Sequence, residues 1–252
     1  MHPNPARRRC AVSRLGLIEY QAALDMQRRL VEECRSDGEA RLLLLEHPPT
    51  YTLGARGRLD NLLVDEASLA LLGASLHRID RGGDVTFHGP GQLVGYPILD
   101  LSHWGQGPLW YVRSLEVVLI DTLASFGIES QRRPGRPGVW IGNAKIASIG
   151  VRVSRGITSH GFALNVDPDL SYFSHIVPCG LSDITMTSIA KAFRGRSGGP
   201  WADQGGQMPA PTPHIGAVMD AIVQAFANVF EMELQDGDRT VAPAAWTPAM
   251  AL

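Results

Sequence analysis

The 252-residue sequence predicts an α/β protein in the α+β sense: a mixed, largely antiparallel sheet flanked by helices. Three observations carry this. Residues 17–35 and 109–126 space apolar side chains for amphipathic helices. Residues 139–166 read as three strands joined by two tight turns. Hydrophobic residues make up 44% and charged residues 19% of the chain, enough apolar material for a core. Folding at this size withdraws roughly 70% of the extended-chain surface from water, which excludes disorder as the dominant state.

The first helix carries Ile18, Ala22, Met26, Leu30 and Cys34 on one stripe, and Gly38 stands beyond its end as a stop. Arg41-Leu-Leu-Leu-Leu-Glu46, closed by Pro48-Pro49, is a short apolar run that suits a buried strand. Asp65-Glu66 opens a short helix that Gly73 closes, and Leu76–Asp80 follows as a strand. Around His88-Gly-Pro-Gly91 the flanking β-formers predict a strand pair over 84–101. The second long helix puts Leu115, Leu119 and Leu123 on one side, with Gly127 past its end. The meander runs Val139–Ile141, Lys145–Val153 and Ile157–Val166, and a third helix covers about 214–230. Residues 194–213 hold too many Gly and Pro to bury and read as a mobile surface loop. We divide the chain into an N-terminal segment (1–14), one catalytic domain (15–235) and a tail (236–252).

A net charge of −2 gives no global reason to bind nucleic acid or an anionic membrane. No apolar run approaches the ~18 residues of a membrane helix, and the basic start at Arg7, Arg8 and Arg9 precedes no apolar leader segment, so a cytoplasmic protein is expected. Cys10, Cys34 and Cys179 lack CxxC spacing and are odd in number, which supports neither a disulfide framework nor a zinc ribbon.

Several chemistries lack their signatures. There is no Gly-Lys dipeptide for a Walker loop. Gly89–Gly95 misses the dinucleotide fingerprint, and Ile146 stands where a GxSxG elbow around Ser148 needs Gly. What remains is a cysteine, a lysine, histidines and glycine-rich segments. Cys179 lies in the loop Val177-Pro-Cys-Gly-Leu181; it is either a nucleophile beside close-approaching backbone N–H groups or a small buried hydrophobe. Of 23 basic residues only Lys145 and Lys191 are Lys, so where bare charge suffices this chain uses Arg. Lys145, opening the strand Lys-Ile-Ala-Ser-Ile-Gly150, can supply a charge and exchange a proton, or be a strand-end cation; Lys191 fits a solvated helix face. Arg81-Gly-Gly-Asp-Val-Thr-Phe-His88 can approach a ligand closely or form an ordinary hairpin, and Ser159–Asn165 has the same ambiguity.

Together RGGDVTFHGPGQLVGYPILDL (81–101), NAKIASIGVRV (143–153), SHGFALNV (159–166) and VPCGL (177–181) resemble the lipoyl(octanoyl) transferases over roughly residues 15–232. The resemblance implies the fold of the biotin and lipoate protein ligase catalytic domains. It implies an acyltransferase of lipoate biosynthesis and protein lipoylation, with a thioester intermediate and no cofactor or metal. Octanoyl-acyl carrier protein is the implied donor; lipoyl domains of 2-oxoacid dehydrogenases and glycine cleavage H protein are the implied acceptors. Cys179 falls on the family's nucleophile and Lys145 on the lysine that lowers its pKa. Arg81, Gly82, Gly83, Asp84, Val85, Thr86, Phe87 and His88, then Ser148, Ile149 and Gly150, and Gly161, Phe162 and Ala163, fall on its substrate-binding segments. The insertion 194–213 and Phe162 depart from the family pattern. An ATP-dependent lipoate or biotin ligase of the same fold and a silent acyl-binding module are the alternatives; the ligase needs no cysteine, and the module needs no Cys–Lys pair. Arg56, Arg58, Arg132, Arg133 and Arg136 form the basic clusters able to steer an acidic carrier.

Overall fold

The computed structural model describes residues 8–177, 184–196 and 212–237. Alternation along the second strand organises them. In β2 (Ala40–Glu46), Leu42 and Leu44 face one core and Leu43 and Leu45 the other, so the four-leucine run is buried on both faces. On one side α1 (Tyr20–Asp37) lays Ala23, Met26, Leu30 and Cys34 over the sheet. On the other, α3 (Pro108–Ser125) and α5 (Ile215–Phe230) contribute Leu115, Leu119, Leu123, Ile222 and Phe226. Gly38 ends α1 in the left-handed region at φ 72°, its N–H bonded to the Cys34 carbonyl. Asp65 caps α2 (Glu66–Leu71) by accepting from the Ser68 N–H. Among the described residues no helix is long and apolar enough to cross a membrane.

The main sheet runs from β12 (Met232–Asp236) through β1 (Arg8–Leu17), β2, β6 (Gln92–Ile98), β10 (Ile157–Asn165), β9 (Ala144–Ser154) and β8 (Arg136–Ile141) to β7 (Gln131–Arg133), with β11 (Thr185–Met186) added alongside β9. The meander is β8 (Arg136–Ile141), β9 (Ala144–Ser154) and β10 (Ile157–Asn165), all antiparallel. β6 (Gln92–Ile98) pairs antiparallel with both β10 and β2. A separate small sheet, β4-β3-β5, joins Ser75–Arg78, Thr50–Leu53 and Val85–His88 around Tyr51, Leu53, Val85 and Phe87.

The structure corrects the sequence reading at several points. The two strands of 84–101 exist, yet β5 pairs with β3 in the small sheet while β6 enters the main one, so the segment bridges two sheets instead of closing a hairpin. The reason lies at the corner: the Gly91 N–H donates to Glu46 at 2.7 Å, and the Gly91 carbonyl accepts from Val166 and Asp167, which turns the chain out of the small sheet. Residues 8–14, placed ahead of the domain, belong to β1 (Arg8–Leu17), parallel to β2 and to β12 (Met232–Asp236). Cys10 and Val12 point inward there, and the Gly237 N–H bonds the Val12 carbonyl at 2.7 Å, so the sheet also extends past residue 235. Residues 194–196 of the expected loop continue α4 (Ile189–Arg196); 197–211 and the tail from 238 lie outside the described residues.

Phe162 of β10 stands opposite Gly95 of β6, and a Cβ on Gly95 would come within 2.2 Å of the Phe162 ring. The large side chain is admitted because its cross-strand neighbour has none. Gly95→Ala is expected to destabilise the protein by about 2 kcal/mol, read by urea unfolding. Adding Phe162→Leu to Gly95→Ala should restore at least half of that loss; a fully additive loss would contradict the packing.

Candidate active site

A narrow slot of about 60 Å³ lies between the small sheet and strands β6, β9 and β10. Its walls include Arg81, Gly82, Gly83, Asp84, Val85, Thr86 and His88 on one side. Lys145, Ser148, Ile149, Gly150, Gly161, Phe162 and Ala163 line the other. Three sequence segments far apart in the chain therefore meet at one cavity. Phe87 does not line it: its ring stacks on Tyr172 at 4.6 Å inside the small sheet's core. Cys179 lies outside the described residues. The chain leaves them at Val177, whose N–H bonds the Asn61 carbonyl, and returns at Ile184 just before β11 pairs Thr185 and Met186 with Ala144 and Lys145. Tyr20 and Met186, which no local motif signalled, also line the slot, as does Tyr96 of the 81–101 motif.

Lys145 is 5% exposed, and its Nζ sits 5.4 Å from the centre of the Trp140 ring. Gly138 makes room for it. With φ +121° this residue occupies backbone space disfavoured for L side chains, and a Cβ there would meet Lys145 Cε at 2.6 Å. Glu116 of α3 holds the covering strand down by accepting from the Gly138 N–H at 3.1 Å while it pairs with Arg132 at 3.3 Å.

A buried polar chain supports the lysine from behind. Gln92 donates to the Asn165 side-chain oxygen at 2.9 Å, and Asn165 donates to the Thr187 carbonyl. The Thr187 N–H bonds the Lys145 carbonyl at 2.9 Å. Because the Gln92 amide nitrogen is used as a donor, its oxygen accepts from His88 Nδ1 at 2.8 Å, so neutral His88 carries its proton on Nδ1 and leaves Nε2 as an acceptor. Burial, with the Arg81 guanidinium and the His47 ring nearby, holds His88 well below the usual histidine range. Arg81 is also buried; its guanidinium donates to the Thr52 carbonyl and hydroxyl, each at 2.8 Å, which stitches the small sheet to the rim of the slot. Cys10 and Cys34 are inert by comparison: burial pushes their thiols up to about 12 and about 11.

The chain thus has a two-sheet acyl- or cofactor-ligase type of catalytic domain with an apolar slot that ends on a buried lysine. It belongs to the lipoyl protein ligase A/B catalytic domain family, whose model matches residues 19–227. It is 46% identical over 232 residues to an octanoyltransferase of Solibacter usitatus, covering 91% of this chain and 97% of that protein. To an octanoyltransferase of Gloeobacter violaceus it is 52% identical over 231 residues, covering 91% and 94%. The solved structure of a lipoate-protein ligase A bound with ATP superposes with a TM-score of 0.68 at 14% identity, covering 91% of this chain and 88% of that one, a likeness of fold.

His47, behind the slot, sets an acid limit on stability. Its Nδ1 donates to the Ile18 carbonyl at 2.7 Å, so the neutral ring accepts from the Tyr96 hydroxyl at 2.7 Å. Complete burial lowers its pKa to about 4. Unfolded, the same ring takes a proton near pH 6.5, so the unfolded chain binds more protons between those values. Stability is full above pH ~6.5 and falls as pH drops toward 4, by roughly 3 kcal/mol from this group. Urea unfolding from pH 7.5 to 4.5 should show that slope, and His47→Gln should flatten it by about one proton. An unchanged slope in the variant would contradict the assignment.

Proposed function

We propose that this chain carries octanoyl groups from octanoyl-acyl carrier protein to a lysine of lipoyl domains, through a thioester on Cys179. The general activity, octanoyl transfer by an acyltransferase, goes with relatives 46–52% identical over about nine-tenths of the chain. The lipoyl domains of 2-oxoacid dehydrogenases and glycine cleavage H protein are the acceptors this reading takes, and the cytoplasm its compartment. One observation carries the mechanism: in a chain that otherwise spends Arg on positive charge, a lysine is buried at the head of the slot, on the strand that pairs with the return of the Cys179 segment.

A free thiol with pKa ~8.5 is only a few per cent thiolate at neutral pH. A neighbouring ammonium favours the thiolate, and about two units of lowering would make most of it nucleophilic. In the first step the Cys179 thiolate attacks the octanoyl carbonyl, a new C–S bond forms, and the bond to the pantetheine sulfur breaks. The leaving sulfur takes a proton from Lys145. In the second step the acceptor lysine attacks as a neutral amine, the amide forms, the Cys179 sulfur departs, and the amine's surplus proton returns to Lys145. One thioester replaces another, so no nucleoside triphosphate is needed. The apolar slot holds the acyl chain.

Incubation with octanoyl-acyl carrier protein alone should add one octanoyl mass to the intact protein. The adduct should be released by hydroxylamine and abolished in Cys179→Ser, and should survive in Cys10→Ser and Cys34→Ser. A hydroxylamine-sensitive adduct that persists in Cys179→Ala would overturn the assignment, and adenylate formation from lipoate and ATP would instead identify a ligase.

A further inference from the structure

Among the described residues His160 alone lines both the slot and a separate cavity of about 340 Å³, which lies between α1 and the turn that joins β9 to β10. Its side chain is buried, and the Tyr96 ring meets it edge-on at 6.5 Å. His160 Nε2 donates to Asp80 at 2.8 Å, and Asp80 also pairs with Arg152 at 2.8 Å. The His160 backbone N–H donates to the Gln27 side-chain oxygen at 2.8 Å. This placement is unfavourable in itself. His160 has φ +56° in the middle of β10, left-handed space that a residue other than glycine rarely occupies. Its Nδ1 and the Gln27 amide nitrogen are buried with no hydrogen-bond partner among the described residues. Strain and an unfilled acceptor at one buried side chain point to a function for it.

Strand register supplies that function. His160 lies opposite Val151, six residues along β9 from Lys145, and both His160 and Lys145 line the slot. Six residues of strand span about 20 Å, which bounds the chain that the slot can hold. An acyl group attached beside Lys145 and laid along β9 points its methyl end at His160. We propose that His160 is the end wall of the acyl slot and sets the longest acyl chain that this protein transfers. The proposal rests on the octanoyl-thioester reading above. Asp80 and Gln27 hold the wall in place, one through the ring and the other through the backbone. Behind it lies the 340 Å³ cavity, whose lining includes Leu24, Val31 and Ile157. Removing the imidazole joins the two spaces and gives a longer chain apolar surface to cover.

The experiment measures kcat/KM with acyl carrier protein loaded with octanoyl, decanoyl, dodecanoyl, tetradecanoyl or hexadecanoyl chains, in the wild type, His160→Gly and His160→Asn. Glycine suits the positive φ and removes the wall; asparagine also tolerates this backbone and shortens the side chain. The wild-type values should drop sharply at one chain length. In the variants the drop should move at least two carbons longer, so the first chain that the wild type rejects gains about tenfold, as burial of about two further methylenes would give. A gain with a longer substrate is not a result that general damage to the fold produces. No gain with any longer chain in either variant overturns the end wall, whatever happens to octanoyl transfer, and so does a wild type that shows no drop up to hexadecanoyl. A wild type that transfers none of the five chains overturns the octanoyl-thioester reading, and the end wall with it.

Discussion

Burying one ammonium group at the seam between two sheets is the constraint from which most of this structure follows. A lysine taken out of water costs several kcal/mol unless its surroundings compensate. The surroundings of Lys145 are built for that. The Trp140 ring offers its π system to the charge, and Gly138 gives up a side chain so that the aliphatic stem can pass. The covering strand is pinned to α3 through Glu116, and the Lys145 backbone is held by Thr187 at the end of a chain of buried amides. None of these groups is chemically reactive. Together they fix where a positive charge stands and keep it from swinging into solvent.

The same constraint explains why the glycine-rich stretch 81–91 spans two sheets. If β5 and β6 formed a hairpin, Arg81 and His88 would share one surface with Gln92. Instead β5 stays with β3, Arg81 is buried against Thr52, and the chain turns at Gly91, bound by Glu46, before β6 enters the main sheet. A gap opens between the sheets at that turn, and the slot is that gap. His88 lines it, and Gln92 of β6 ties β5 to the main sheet by accepting from His88 and donating to the Phe87 carbonyl. The histidines around it are neutral because they are buried, so the slot stays apolar in character although polar groups surround it.

Much of this was legible in the sequence, and the failures have physical causes. The stripes of α1 and α3, the four-leucine strand and the meander are strong periodic signals that tertiary packing did not override. β1 was missed because three arginines at the start mask a strand in which Cys10 and Val12 alternate inward; its pairing partner β12 lies more than two hundred residues away. β11 has two residues and no propensity signal of its own. The slot's motif residues were legible as segments because each is contiguous. Tyr20 and Met186 were not, since their presence depends on how α1 and β11 come together with the sheets. Phe87 lies inside a binding motif, yet its ring packs on Tyr172 in the core of the small sheet and does not reach the slot.

The central claim is that the buried Lys145 charge makes the Cys179 thiol reactive at neutral pH. The rate of Cys179 alkylation by iodoacetamide as a function of pH, in the wild type and in Lys145→Ala, tests it most directly, because Cys10 and Cys34 are buried with raised pKa values and contribute little background. The account predicts that the wild-type profile rises near pH 6–7, and that the variant's midpoint moves up by about two units, toward that of an ordinary thiol. Superimposable profiles would contradict it.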